Sequence, residues 1–136
     1  MTALVRDALY ARRGFPARHE FGYAVAIGEK VFRGSLVGIN VAGTMQRIQT
    51  AGTVAFLGMA GQALDNTVGL VASGVKIEAL KGAWGIPVPG AVPANINASV
   101  YATDDGTLTL TVGSNLLVGT LVGIEGGLTY VFLLGG

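Results

Sequence analysis

The sequence predicts an all-β protein: a compact β-barrel or two-sheet sandwich of roughly eight to ten short antiparallel strands, preceded by an extended N-terminal arm. Three observations predict it. Residues 99–104, 107–112, 117–119 and 128–134 are short runs, alternating or wholly apolar, parted by Gly, Asp or Asn, as antiparallel strands joined by tight turns are written. The 22 glycines among 136 residues are spread without a fixed period, which excludes collagen and solenoids and places many bends between short strands. Hydrophobic residues make up 51% of the chain and charged ones 12%, enough apolar material for one core in a chain of single-domain length.

The elements follow in order. Residues 1–20 form the arm and 21–136 the single β domain. In the arm, Leu4, Val5, Ala8 and Leu9 are spaced for one or two amphipathic helical turns, ended by Gly14 and Pro16. So short a helix is marginal alone, so the arm is expected to become ordered by docking on a partner. It is basic, with Arg6, Arg12, Arg13, Arg18 and His19 against Asp7 and Glu20, whereas residues 50–136 hold Lys76 and Lys81 against five acids.

From residue 23 the chain reads as β. Residues 23–27 are a short apolar run, 31–34 a turn or bridge, and 36–41 a strand in which Gly38 marks a bulge or a close backbone approach. Residues 44–49 alternate without a clean apolar face. Residues 53–59 read as a buried strand, and 64–67 as a turn in which Asx side chains bond the backbone ahead of them. Strands are expected at 70–72 and 75–80, the second half-exposed. Residues 82–94 contain Pro87, Pro89 and Pro93, which would delete ladder donors, so this segment is expected to run as an extended surface connection.

Chemistry-bearing groups are sparse. The lone His19 lies in the arm beside Glu20, and Ser99, His19 and Asp104 make no triad without a nucleophile elbow. Asp104-Asp105-Gly106 offers too few oxygens for calcium and reads as a hairpin turn with Gly106 at positive φ. The glycine-rich stretches 58–61 and 119–127 lack a P-loop lysine. With 0 cysteines there is no disulfide or thiolate site. Asn97-Ala98-Ser99 fits a glycosylation sequon by chance, since Arg12, Arg13 and Arg18 stand where a secretory apolar segment would be. No catalytic, metal or cofactor site is expected, nor direct nucleic-acid binding. The uncharged stretch 82–103 is broken by proline, so no membrane span is expected either. The mean hydropathy of +0.57 points instead to apolar surface covered by partners. Candidate contact residues are Arg6, Arg12, Arg13 and Arg18, whose guanidinium groups suit carboxylates on a partner protein, Phe15 among them in the arm, and Trp84, as an interface anchor or a cap on the core.

The segments Ile27-Gly28-Glu29-Lys30-Val31-Phe32-Arg33-Gly34-Ser35-Leu36-Val37, Phe56-Leu57-Gly58-Met59-Ala60-Gly61 through Leu64-Asp65-Asn66-Thr67-Val68-Gly69, and Val100 to Asp105 with Leu117 to Gly119 occur in an order that resembles the small capsid decoration or cement proteins of tailed bacteriophages. The likeness spans about residues 24–134 and excludes the Arg-rich start with Phe15-Pro16. It implies a non-enzymatic virion protein, made in the host bacterial cytoplasm, that binds the outside of an assembled capsid and bridges neighbouring subunits of the major capsid protein. It also implies self-association as a homodimer or homotrimer, which suits a capsid symmetry axis. The alternative is a tail, fiber or baseplate β-module, glycan-binding if Trp84 joins Tyr101 or Tyr130 in an exposed aromatic platform.

Overall fold

The computed structural model describes residues 3–8, 12–13, 21–49, 52–53 and 55–133. Among them the chain is all-β, with thirteen strands and one 3₁₀ turn, Pro93–Asn95. A six-stranded antiparallel sheet runs β1(Arg12–Arg13), β9(Gly82–Gly85), β13(Leu128–Leu133), β12(Leu116–Glu125), β10(Ser99–Asp104), β11(Thr107–Thr109). A five-stranded sheet runs β2(Gly22–Ala24), β8(Lys76–Leu80), β6(Ala55–Ala60), β4(Leu36–Ile39), β5(Met45–Arg47). A ribbon pairs β3(Lys30–Val31) with β7(Leu64–Asp65). The sheets curl as a half-barrel.

Alternation decides which side of each strand is buried. Leu36, Ile48, Phe56 and Met59 of the five-stranded sheet side pack with Trp84, Val100, Leu108, Leu121, Val131 and Leu133 of the six-stranded sheet. The intervening residues Val37, Met45, Ala60, Ile77 and Ala79 belong to a second cluster with Val25 and Val31, flanked by Leu64. Strands β4 and β6 of the five-stranded sheet are therefore buried on both faces, which is why β6 reads as an unbroken apolar run instead of a half-polar one.

Several expectations hold. The close backbone approach at Gly38 is present, where a Cβ would lie 2.6 Å from the Ala55 carbonyl oxygen, and the register shifts between Val37 and Gly38 because Leu57 is an extra residue on the facing β6. Asp65 closes its turn by accepting from the Thr67 N–H at 2.9 Å and from the Thr67 hydroxyl. β8 alternates outward Lys76 and Glu78 with buried Ile77 and Ala79.

Others are corrected. Strands outnumber the eight to ten expected, because β1, β3 and β7 are two-residue pieces defined by their pairing partners and not by a pattern of their own. Residues 70–72 form no strand: they belong to a loop, with Val71 O bound by the Asn66 side chain. The segment 82–94 opens as β9, an interior strand between β1 and β13, because its prolines begin only at Pro87, beyond the last paired residue. Past β9, Thr129 ties the chain down, its Oγ1 accepting from Val88 N and donating to Ile86 O. The hairpin at 104–107 forms as expected, but without positive φ at Gly106; the Asp104 carboxylate closes it, accepting from Gly106 N at 2.9 Å. No helical turn forms in residues 3–8, which run extended over the body with Val5 exposed.

Candidate functional site

Two features stand out once the elements are placed: a polar knot that fastens residues 3–8 to the body, and an outer face on the six-stranded sheet whose central row is uncharged. The knot begins with Glu29, which is buried and sits just before β3. Its carboxylate accepts from Lys30 N (2.9 Å), Arg47 N (3.1 Å), Arg47 Nε (3.2 Å) and Gln49 Nε2 (3.2 Å). The Arg47 guanidinium then reaches toward Asp105, 3.9 Å away, and lies over the Phe32 ring at 5.7 Å. Asp105 is 1% exposed and accepts from Leu4 N (2.9 Å) and the Ser35 hydroxyl (3.0 Å). Burial pushes its carboxyl above the usual carboxylate range; the Leu4 N–H, the Ser35 hydroxyl and Arg47 pull the other way, and the neighbouring Asp104 charge adds to the rise.

The same segment is held at a second point. Asp7 accepts from Arg33 N at 2.8 Å, and Ala8 N donates to Arg33 O at 2.6 Å. Gly34, at φ +90°, allows this approach: a Cβ there would stand 2.2 Å from Ala8 O. Residues 3–8 thus form a strap across the chain's own body, seated through the backbone N–H groups of Leu4 and Ala8 and the Asp7 carboxylate. An open hollow of about 520 Å³ lies beside it, lined by Ala3, Arg47, Gln49, Thr103, Asp104 and Asp105. Its guanidinium is already engaged by two carboxylates, so it has no spare positive charge for an anion.

The sequence-chosen contact residues scatter. Arg6 is exposed on the strap. Arg12 and Arg13 form β1, paired with Trp84 and Ala83. Phe15, Arg18 and His19 lie outside the described residues. Trp84 is the clearest correction: it is 8% exposed, belongs to the main core, and donates its indole N–H to Lys81 O at 3.0 Å. Of its two sequence readings, the structure takes the core cap, because β9 is interior and turns the ring inward toward Val131 and Leu121. A platform joining Trp84 to Tyr101 or Tyr130 is therefore not exposed. Among the described residues no group of three or more His, Cys, Asp or Glu could hold a metal ion, and no helix is long and apolar enough to cross a membrane.

The outer sheet face comes from register. Ala83, Phe132, Thr120 and Ser99 form a row across β9, β13, β12 and β10, flanked by Tyr130 beside Gly85 and by Leu117 beside Tyr101. The alternate positions Val131, Leu121, Leu133 and Val100 are fully buried, so this row faces away from the core. Phe132 is 41% and Leu117 43% exposed, and none of these residues is charged. An antiparallel sheet with one solvated face ordinarily places polar residues there. Sequence reasoning missed this face although its signal was present: 128–133 has apolar residues at both parities of a strand, which one core cannot use. Comparison with protein-family models, with curated proteins and with solved structures returns no match to this chain.

Proposed function

We propose that the chain is a non-enzymatic virion structural protein that binds the outside of an assembled tailed-phage capsid and bridges neighbouring major capsid protein subunits, stabilising the shell. The observation that carries this reading is the uncharged central row on the outer face of the six-stranded sheet, between Arg13 at one edge and Glu125 at the end of β12, with Phe132 and Leu117 presented on core-backed strands. A cement must resist deformation while adhering to a repeating surface. Two apolar clusters that share strands β4 and β6 support the first requirement, and an apolar and hydroxyl-bearing sheet face supports the second. Many copies on one lattice add avidity to a modest contact. Self-association as a dimer or trimer belongs to the same reading.

The strap shifts where adhesion is sought. Residues 3–8 are engaged by Arg33 and Asp105 of their own chain, so the sheet face is the better candidate for the shell contact than the strap's backbone. Co-sedimentation with assembled shells tests the reading: the wild-type chain binds saturably and free capsid subunits bind negligibly. Phe132→Glu, at a half-exposed position, keeps the fold and loses shell binding. Equal binding to shells and free subunits, or full shell binding by Phe132→Glu, overturns it.

A further inference from the structure

The loop joining β7 to β8 carries an apolar cluster that the shell contact does not use. From Asn66 to Val75 the chain has no charged residue, and neither has the facing stretch from Phe21 to Gly28. Val68 is 91% exposed, Leu70 90%, Val71 70% and Ile27 62%. Exposure alone would be unremarkable in a loose loop, but this one is laced to the body. The Asn66 side-chain amide donates to Val25 O (3.2 Å), Ala26 O (3.0 Å) and Val71 O (3.1 Å), while Asn66 O accepts from Gly28 N and Gly69 N. Ser73 Oγ accepts from Val25 N at 2.8 Å and donates to Val75 O at 2.6 Å, and Ser73 N donates to Val25 O. Gly69 fits closely over Asn66, since a Cβ there would stand 1.9 Å from Asn66 Oδ1. Hydrogen bonds hold the backbone, and the aliphatic side chains are left outward.

We propose that this loop is the surface on which a second copy of the chain docks, loop against loop about a two-fold axis. Two arguments select a second copy. The first is area: these side chains with Val75 present on the order of 600 Å², so two copies bury on the order of 1,200 Å², the lower bound of a standard specific interface. The second is charge. In a two-fold contact each group meets its own kind, so an uncharged centre meets no repulsion. The nearest charges on the flanking strands balance: Lys30 with Asp65, 3.9 Å apart, on the β3–β7 ribbon, and Lys76 with Glu78 on β8. Such a rim complements itself, and each of its lysines is matched by a carboxylate, so it presents no net basic charge of the kind an anionic lipid surface would call for. The backbone is fixed before contact, so little ordering entropy opposes docking.

The proposal rests on the self-association in the reading above and locates it, without depending on the shell. Light scattering on the full chain over a concentration series gives the mass. The wild type is expected at twice 13.8 kDa. Leu70→Asp weakens the dimer by roughly a hundredfold or more and keeps the wild-type urea midpoint at concentrations where both chains are monomeric, since its side chain touches little of its own fold. Val41→Asp, at an equally exposed apolar position on the β4–β5 hairpin, leaves the dimer intact. A wild-type monomer at every concentration, or a dimer broken by Phe132→Glu and not by Leu70→Asp, overturns the proposal. So does binding to phosphatidylcholine–phosphatidylserine vesicles that Leu70→Asp abolishes in a monomeric chain. Shell co-sedimentation is scored separately: a wild-type dimer that ignores shells leaves the loop interface standing and removes the capsid reading.

Discussion

Asp105 is the residue on which strap and body meet, and substituting it separates charge from hydrogen bonding. Asp105→Ala takes away the acceptor of the Leu4 N–H and the Ser35 hydroxyl and leaves that hydroxyl proton without its partner in a buried site. Hydrogen bonds to a charged acceptor are worth about 1.5–3 kcal/mol each, and release of a desolvated charge offsets part of that, so the net loss at pH 7 is about 2–3 kcal/mol. With an m-value of about 2 kcal/mol/M, the urea midpoint falls by about 1–1.5 M. Asp105→Asn keeps the shape and one acceptor oxygen while relieving the buried charge, so at pH 7 it costs about 1 kcal/mol or less. The two proteins then diverge with pH. Because the folded carboxyl titrates above its unfolded value, the folded chain binds this proton first as pH falls. The wild type therefore gains stability from neutral pH down through the folded pKa, and the gain is complete below the ordinary value of about 4. Asn carries no such proton, so the wild type improves relative to Asp105→Asn over that window, by about 1.4 kcal/mol for each pH unit the folded pKa lies above the unfolded one. Urea unfolding of both proteins between pH 7 and 4 is the assay, since the other titrating groups are common to both. Parallel pH curves would refute the reasoning.

Three further outcomes are expected. Gly34→Ala meets Ala8 O and a φ of +90°, so it costs about 1–3 kcal/mol and speeds amide exchange at Ala8, which bonds Arg33 O, more than in the core strands. Trp84→Ala destabilises by about 3–5 kcal/mol in urea unfolding, as a core truncation and not a surface anchor; a change below 1 kcal/mol contradicts its placement. Asn97 holds φ +76°, so Asn97→Gly is tolerated in thermal unfolding, whereas Asn97→Val costs about 1–2 kcal/mol.

The fold class was legible because turn residues and alternation are local signals. β10 spans the expected Ser99–Asp104, and β13, Leu128–Leu133, follows the expected run 128–134, whose last residue lies outside the described ones. What was not legible depends on partners distant in sequence. β1 is a strand only because Trp84 and Ala83 lie opposite it. Residues 70–72 look like a strand until Asn66 and Ser73 hold that backbone in a loop. The site residues were read less well. Arginine in the arm drew attention as charge, yet the described part of the strap is seated through Leu4 N, Asp7 and Ala8 N. Asp105 read as half of a turn dipeptide, and only the Leu4 contact, 101 positions away, reveals it as buried.

The apolar composition needs a different account from the one it first invites. A chain with 51% hydrophobic and 12% charged residues looks as though it must hide surface against partners. Part of that excess is consumed internally, because strands β4 and β6, buried on both faces, need two sets of apolar side chains where strands of a simple sandwich need one. Bulk hydropathy therefore argues for a double core before it argues for a partner. The case for partners rests on position instead. Phe132 and Leu117 stand on strands whose opposite faces are fully buried, and Val68 and Leu70 stand on a loop pinned by Asn66 and Ser73. In both places the backbone is fixed by interactions that the exposed side chains do not supply. Their apolar character is therefore not needed for folding, and Phe132→Glu or Leu70→Asp should change association while leaving the unfolding free energy of the monomeric chain within about 0.5 kcal/mol of wild type.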